Sequence, residues 1–435
     1  MRVATHAIIL SNFARGFDKY SRVYDKAGTP FARFPDRFHL LRANEAEIGV
    51  RRAFDLGRRL GREGEPVLLL DALVAEESTH ANEETGIGRW IEGTRIGIEG
   101  LRIVRSEGAE PEPISVEEAM AASLAALSDE FVPYSAMLPR TVSVLPVALA
   151  CQARCSFCFS KSSASLDLAG ALEDAELVRP WLLRGAELGA ERFVITGGGE
   201  PMLLSWRRLL SLVELGSSIL PRSLIITNGM RLSSESESKA AMMARELRSA
   251  GLRSVAVSRH HHSSERNAAI MGVDPKSELA LAAARAGGLR SRLVCVIQKG
   301  GIESFDDALS YVEWAAGMGV EEICFKELYV STTLESAYHD AAGNAWSRDR
   351  QAPLSPLLAG FEAVGFSVGT RLPWGAPVLE GVVGGSRVTV ALYSEPSLYW
   401  ERKHGLARSW NVMADGRCLV SLEAPESLLS ADEDE

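Results

Sequence analysis

The chain has 435 residues, of which 46% are hydrophobic and 24% charged, and its formal net charge is −10 at pH 7. This composition is typical of a soluble globular protein with two or three domains, or of one large barrel with additions. The negative charge argues against a binder of the nucleic-acid backbone, because such binding depends on clustered Lys and Arg. We find neither a signal peptide nor an apolar stretch of spanning length, so we expect a cytoplasmic protein without a membrane partner.

Residues 1–139 predict an N-terminal accessory domain of mixed α/β structure. The segment "GEPVLLLDALV" (64–74) has the pattern of a strand, and "SVEEAMAASLAALSDEF" (115–131) has the pattern of a helix. The segment 12–34 is rich in Arg and aromatic residues. That composition fits packing and solvated charges, or a surface for a substrate.

Six strand-like segments follow between residues 140 and 335, and helical segments separate them. Each strand segment is nearly continuous in apolar, often β-branched residues; they cover 140–150, 191–203, 222–232, 252–262, 291–301 and 320–330. Such strands are typical of a parallel sheet covered by helices on both faces. Right-handed crossovers would curl the series into an open or complete barrel, and we expect a partial (β/α)6 TIM-type barrel in an α/β fold.

Residues 336–435 predict a small C-terminal β extension. Strand-like runs alternate with turn signals such as Asp415-Gly416, and the chain ends in the acidic tail "SADEDE". We expect a small antiparallel addition that closes the open side of the barrel.

Three of the six cysteines lie in one short loop after the first barrel strand, "CQARCSFC", as Cys151, Cys155 and Cys158. A disulfide framework is rare in the cytoplasm, and a zinc site would need a fourth ligand that only the distant His260–His262 could supply. Thiolates are the usual ligands of iron–sulfur clusters, and three of them can hold three irons of a four-iron cube. The residues favour the iron–sulfur cluster over the other two interpretations.

The other chemically unusual residues also follow the predicted strands. Their loops contain Gly197–Pro201, Thr227–Gly229, Ser258–His262 and Gln298–Lys299, and the sixth strand carries Lys326 and Glu327. In a barrel of parallel strands these loops gather on one face, where active sites lie. The pattern therefore predicts one functional site at that face.

The chain resembles the radical S-adenosylmethionine (SAM) superfamily over about residues 140–335. The resemblance rests on "CQARCSFC" with an aromatic residue before its last cysteine, on "TGGGEP" after the second strand and on "TNG" after the third. It implies that Cys151, Cys155 and Cys158 ligate a [4Fe–4S] cluster whose fourth iron is chelated by SAM. It further implies a set of SAM contacts: Gly198, Gly199 and Glu200 at the methionyl amino group, Phe157 and Val296 near the adenine, Ser258 and Arg259 at the ribose and carboxylate, and Asn228.

The resemblance also implies an activity. A reduced cluster would cleave SAM to a 5′-deoxyadenosyl radical, which takes hydrogen from an unactivated C–H bond, and an external one-electron donor such as flavodoxin or ferredoxin would supply the electron. Only Cys418 follows the barrel, so we expect no auxiliary cluster. We expect epimerisation, rearrangement, elimination or dehydration of a small metabolite or natural-product intermediate. A peptide maturase whose N-terminal domain grips a leader, and a non-catalytic iron–sulfur electron carrier or sensor, are the alternatives.

Several residues at the predicted site have two interpretations. His260, His261, His262 and Lys326 are candidate catalytic residues, but the histidines could form a plain polar loop and Lys326 a surface ion pair. Cys295, Cys324 and Cys418 could be small buried hydrophobes or hydrogen-atom donors. Lys161 could contact the substrate or lie on the surface.

Overall fold

The computed structural model describes residues 6–11, 38–42, 46–59, 67–75, 90–91, 94–114, 132–330, 336–338, 340–352, 354–396 and 398–430. The predicted helix over 115–131, the Arg-rich segment 12–34 and the last residues of the acidic tail, 431–435, lie outside these ranges.

The N-terminal residues form a mixed sheet. Its strands are β1 (His6–Ser11), β2 (Phe38–Arg42), β3 (Val67–Ala75), β4 (Trp90–Ile91), β5 (Thr94–Val104) and β6 (Glu112–Pro113). β1 pairs in parallel with β2 and β3, whereas β5 runs antiparallel to β3. Helix α1 (Ala46–Arg59) buries Ala53 and Phe54 against Val67 and Leu69. The strand predicted over 64–74 is present as β3.

All six predicted barrel strands are present. They are β8 (Thr141–Val144), β9 (Arg192–Ile195), β10 (Ser223–Thr227), β11 (Ser254–Ser258), β12 (Arg290–Val296) and β13 (Glu322–Lys326), after a short β7 (Leu138–Pro139). Each strand pairs in parallel with the next in chain order. The order and direction confirm the predicted α/β barrel arrangement.

Helices connect the barrel strands and bury the outward faces of the sheet. They are α2 (Arg179–Glu187), α3 (Trp206–Ile219), α4 (Met230–Ser233), α5 (Glu237–Ser249), α6 (Ser264–Met271), α7 (Ser277–Ala286) and α8 (Phe305–Gly317). The core joins strand residues such as Val142, Phe193 and Val257 to helix residues such as Leu212 and Ala280. Among the described residues, no helix is long and apolar enough to cross a membrane.

The C-terminal residues extend the barrel sheet at both edges. They form α9 (Ala341–Arg350), α10 (Ser355–Ala363), β14 (Ser367–Arg371), β15 (Pro377–Val383), β16 (Ser386–Tyr393), α11 (Leu398–His404), β17 (Leu406–Ala407), β18 (Trp410–Val412) and β19 (Cys418–Leu419). β16 pairs in parallel with β13, and β18 pairs in parallel with β8. The predicted small antiparallel addition is therefore only partly right, because each sheet edge first gains a parallel strand.

The resulting sheet has eleven strands in the order β14-β15-β16-β13-β12-β11-β10-β9-β8-β18-β19. Its outermost strands, β14, β15 and β19, run antiparallel to their neighbours. The strand order does not return on itself, so the barrel is partial, as predicted. Because the central strands are parallel, their carboxyl ends and the loops that follow them meet at one face.

Candidate functional site

A cavity of about 690 Å³ opens at the carboxyl ends of the barrel strands. Its mouth is lined by the cysteine loop (residues 151–158), by the glycine loop after β9 (Gly197–Pro201) and by the end of β10. Inward-facing residues of β10 to β13 line its inner wall, and residues after β16 line one side. The loops that the sequence placed on one face therefore surround one space.

The thiols of Cys151, Cys155 and Cys158 all line this cavity. The loop is held from outside, since the Arg154 amide donates to the carbonyl of Met271 at the end of α6, at 2.7 Å. Burial raises the pKa of Cys155 to about 12, with the neighbouring Cys158 and Cys151 adding to the rise. Burial also raises the pKa of Cys151, so these two thiols would need a nearby positive charge, such as that of a bound metal, to ionise.

The glycines after β9 pack against the chain that leads into the cysteine loop. The amide of Gly199 donates to the carbonyl of Val147 at 2.8 Å, and the amide of Glu200 donates to the carbonyl of Ala150 at 2.7 Å. A Cβ atom on Gly199 would lie 2.1 Å from the Ala150 oxygen, which no real contact allows. The missing side chain thus lets two loops touch through their backbones, and the same glycines line the cavity.

Glu200 ties the glycine loop to the loop after β10. The residue is 3% exposed, and its carboxylate accepts hydrogen bonds from the Asn228 amide at 2.8 Å, the Thr227 hydroxyl at 2.5 Å and the Met202 amide at 3.0 Å. Burial raises the pKa of Glu200, and these three donors oppose the rise. The carboxylate therefore organises the mouth of the cavity as well as lining it.

Asn228 links this loop to the cysteine loop. Its side-chain amide donates to Gln152 Oε1 at 3.0 Å and lies 3.7 Å from Cys151 Sγ. Its carbonyl oxygen accepts from the Met230 amide at 2.9 Å, which fixes the orientation of the side chain. Asn228 is thus a direct neighbour of a predicted cluster ligand.

Phe157 and His260 form one side of the cavity, with ring centroids 4.9 Å apart in an edge-to-face arrangement. His260 Nδ1 accepts from the Val296 amide at 3.0 Å, which places the proton of the neutral ring on Nε2. Burial lowers the pKa of His260 to about 3, so the ring is neutral at physiological pH. Ser258 and Val296, which the sequence analysis assigned to SAM, line the same wall.

Arg259, His261 and His262 do not line the cavity, and this corrects the sequence-based assignment. Side chains alternate along an extended chain, so Ser258 and His260 face inward while Arg259 faces the helices. The Arg259 guanidinium is fully buried and lies 2.8 Å from Glu278 on α7. It is therefore not available for the SAM carboxylate.

Arg259 instead holds the histidine loop in shape. It donates to the carbonyls of His261 and His262 at 2.8 and 2.7 Å, and it stacks over Trp314 of α8 at 4.6 Å. His261 Nδ1 accepts from the Ser263 amide at 2.9 Å, and the His262 ring packs on the His261 ring. Of the three histidines, only His260 is at the cavity.

Lys326 faces the cavity and forms an ion pair there, and its catalytic role stays a prediction. Its Nζ lies 2.8 Å from Glu395 Oε1 and 5.0 Å from the centre of the Tyr393 ring. Burial lowers the pKa of Lys326 to about 8, helped by the charge of Arg408. Arg408 is a second partner of Glu395, which therefore bridges two cations.

Several cavity residues were missed from the sequence: Arg292, Tyr393, Glu395, Glu401 and Arg408. The sequence could have indicated Arg292, because this charged residue lies in an otherwise largely apolar strand. Side chains alternate along a strand, so Arg292 faces the same side as Val294 and Val296. The others come from the C-terminal residues, where the pairing of β16 and β18 with distant strands gave no local pattern.

The structure also shows which of the remaining cysteines line the cavity and where Lys161 lies. Cys324 lines the cavity, whereas Cys295 and Cys418 are fully buried and lie outside its lining. Burial raises the pKa of Cys295 well above its usual range. Lys161 lines the cavity, which favours its interpretation as a contact.

Comparison with known proteins identifies the family. The model of the radical SAM superfamily matches residues 145–325, which include the cysteine loop, the glycine loop and most of the barrel. These residues belong to the radical SAM superfamily, and the chain is a radical SAM enzyme. Its cofactors are those of the family, a [4Fe–4S] cluster and SAM. The non-catalytic carrier considered from the sequence is therefore set aside. No curated protein matches the chain.

Solved structures similar to the chain include Streptococcus suis SuiB bound to S-adenosylmethionine, with 13% identity, a TM-score of 0.44, and coverage of 73% of this chain and 68% of that one. Native anSMEcpe with bound AdoMet and Cp18Cys peptide has 18% identity, a TM-score of 0.33, and coverage of 43% and 50%. A radical SAM methyltransferase from Sphaerobacter thermophilus has 15% identity, a TM-score of 0.35, and coverage of 51% and 63%.

Proposed function

We propose that this radical SAM enzyme binds its [4Fe–4S] cluster through Cys151, Cys155 and Cys158 and acts on a small molecule inside the barrel. The observation that carries the proposal is the shared cavity. The three thiols, the glycine loop and the inward faces of four barrel strands line one space.

The residues at the mouth fit the two cofactors. The three thiols supply the ligands of the cluster, and Gly198, Gly199 and Glu200 offer backbone and carboxylate oxygens to an ammonium group. With both cofactors bound and one electron supplied by a donor such as flavodoxin or ferredoxin, SAM provides the 5′-deoxyadenosyl radical that takes hydrogen from the substrate.

The residues of this chain then have three tasks. Phe157 and Val296 offer apolar surface to a flat ring, and Ser258 beside them offers a hydroxyl. Asn228 and Glu200 keep the cysteine and glycine loops in register through the hydrogen bonds described above. The neutral His260 offers its Nε2 hydrogen as a donor to a bound molecule without bringing a charge into the site.

The inner wall favours a compact substrate. Leu224, Ile226 and Ala256 make one part of it apolar, while Lys326, Glu395 and Arg408 make another part charged. A substrate that fills such a space has both an apolar portion and polar groups that reach the charged side. Cys324 lies on this wall and is the one single cysteine in position to give a hydrogen atom to a substrate radical.

The first experiment tests the ligands. After anaerobic reconstitution we expect about four irons and four sulfides per chain. The triple variant Cys151→Ala, Cys155→Ala, Cys158→Ala should bind none of them, whereas the control Cys418→Ala, buried outside the cavity, should keep both. A triple variant that retained its iron would overturn the ligand assignment.

The second experiment tests the substrate class against the peptide maturase. The reduced holoenzyme is incubated with SAM and either a metabolite extract free of peptides or a matched peptide fraction, and 5′-deoxyadenosine is quantified. We expect the metabolite extract alone to raise its formation. Stimulation by the peptide fraction alone would establish the maturase instead.

A further inference from the structure

Arg292 lies deep inside the barrel cavity. It belongs to β12, where Arg292, Val294 and Val296 share the inward face because side chains alternate. Arg292 precedes Val296 by four residues, which is about 13 Å along a strand. Its register partner on β11 is Ala256, which pairs in turn with Ile226 on β10, so the adjacent wall is apolar.

Among the cations of the inner wall, Lys326 and Arg408 are paired, whereas Arg292 has no partner within the described part of the chain. No hydrogen bond or ion pair is found for its guanidinium there, and its Nε is buried without an acceptor. The neighbouring Glu322 forms an ion pair with Arg290, and Glu395 forms ion pairs with both Lys326 and Arg408. A cation held among apolar side chains without a counter-ion is unfavourable unless an anion joins it.

We propose that Arg292 binds a carboxylate of the substrate at the inner end of the cavity. The proposal rests on the proposed function, because it assumes that SAM occupies the mouth. At the inner end of the cavity one unpartnered cation balances one negative charge, which matches a carboxylate better than a phosphate dianion. The planar guanidinium can also hold both oxygens of a carboxylate.

The depth of Arg292 orients the substrate. With its carboxylate at Arg292, an acid lies along Ala256, Ile226 and Val294, and its other end points toward the cysteine loop. The hydrogen that is abstracted therefore lies at a carbon remote from the carboxylate. Arg292 acts here as a positioning and specificity residue.

The test is a binding measurement on the anaerobic holoenzyme with SAM present. Hexanoate, hexanamide and inorganic phosphate are titrated by calorimetry. We expect hexanoate to bind about ten- to a hundredfold more tightly than hexanamide, since the two differ by the charge that Arg292 would meet. Tighter binding of phosphate than of hexanoate would overturn the choice of a carboxylate.

Variants separate the roles. Arg292→Gln should remove the preference for hexanoate, Arg292→Lys should retain part of it, and the control Arg253→Gln, an exposed arginine before β11, should retain all of it. The thermal midpoint of Arg292→Gln should equal or exceed that of the wild type, because an unpartnered cation is removed.

Two further outcomes would overturn the proposal. Equal hexanoate affinity in Arg292→Gln and the wild type would show that the guanidinium does not meet the anion. A matching loss of SAM affinity in Arg292→Gln would show that it holds SAM. SAM cleavage by the wild type is assayed separately, so a failure of the proposed function remains distinguishable from a failure of carboxylate binding.

Discussion

Arg259 directly follows β11, and Arg292 lies in the neighbouring strand β12. The side of the sheet that each residue faces decides which groups its guanidinium contacts. Arg259 faces the helices, where Glu278 and two carbonyls surround it. Arg292 faces the cavity, where none of the described residues neutralises it. The alternation along β12 could have placed Arg292 on the same face as Val294 and Val296, whereas the partners of Arg259 had to come from the structure.

The placement of Arg259 predicts the outcome of Arg259→Ala. The carbonyls of His261 and His262 would lose their donor, so we expect the free energy of unfolding to fall by about 2–4 kcal/mol. SAM affinity should stay unchanged, because the side chain does not reach the cavity. Urea denaturation and a SAM titration of the folded holoenzyme measure the two effects, with the exposed Arg253→Ala as control. A large loss of SAM affinity at unchanged stability would restore the original assignment.

His260 predicts how stability depends on pH. The pKa of His260 in the folded chain, about 3, lies below the usual ~6.5. Between these two values the ring is protonated in the unfolded chain and neutral in the folded chain. The stability that the neutral His260 ring contributes is fully present above pH ~6.5. As the pH falls toward 3, the free energy of unfolding decreases by up to ~1.4 kcal/mol per pH unit.

Urea denaturation between about pH 7.5 and 5.5 tests this dependence. In His260→Gln we expect a shallower loss of stability toward acid than in the wild type, and in the control His404→Gln, at an exposed position, the wild-type dependence. Identical pH dependence in His260→Gln and the wild type would mean that His260 takes up its proton in the folded state.

At the scale of elements, the site is an assembly of loops that dock on one another. The loop after β9 touches the start of the cysteine loop through backbone hydrogen bonds, and Glu200 joins it to the loop after β10. The cysteine spacing and the glycines could be recognised from the sequence because each motif is local. The hydrogen bonds of Glu200 and Asn228 could not, because they join loops that are distant in the chain.

Gly199→Ala tests the docking of these loops. The new Cβ would clash with Ala150, so the cysteine loop would have to move, and we expect the reconstituted iron content to drop severalfold. Gly317→Ala at the end of α8 is the matched control, because its Cβ would meet nothing within 4 Å. Iron and sulfide analysis of both variants decides the matter, and a fully loaded Gly199→Ala would show that the contact is dispensable.

At the scale of the whole molecule, the C-terminal residues complete the barrel from both sides. β16 covers the free edge of β13, and β18 covers the free edge of β8. Glu395, after β16, contacts Lys326 on β13 and Arg408 before β18, so one carboxylate connects the two edges at the cavity. The six central strands were predictable from their apolar, β-branched runs. These edge pairings were not, because register between distant segments leaves no periodic signal.

The central claim is that the cavity joins cluster, SAM and substrate in one active site. The most direct measurement is the formation of 5′-deoxyadenosine and methionine from SAM by the anaerobically reconstituted, reduced protein. We predict that the wild type forms both products in equal amounts and that the triple cysteine variant forms neither. An iron-loaded, reduced wild type that left SAM intact, with or without added extract, would contradict the account.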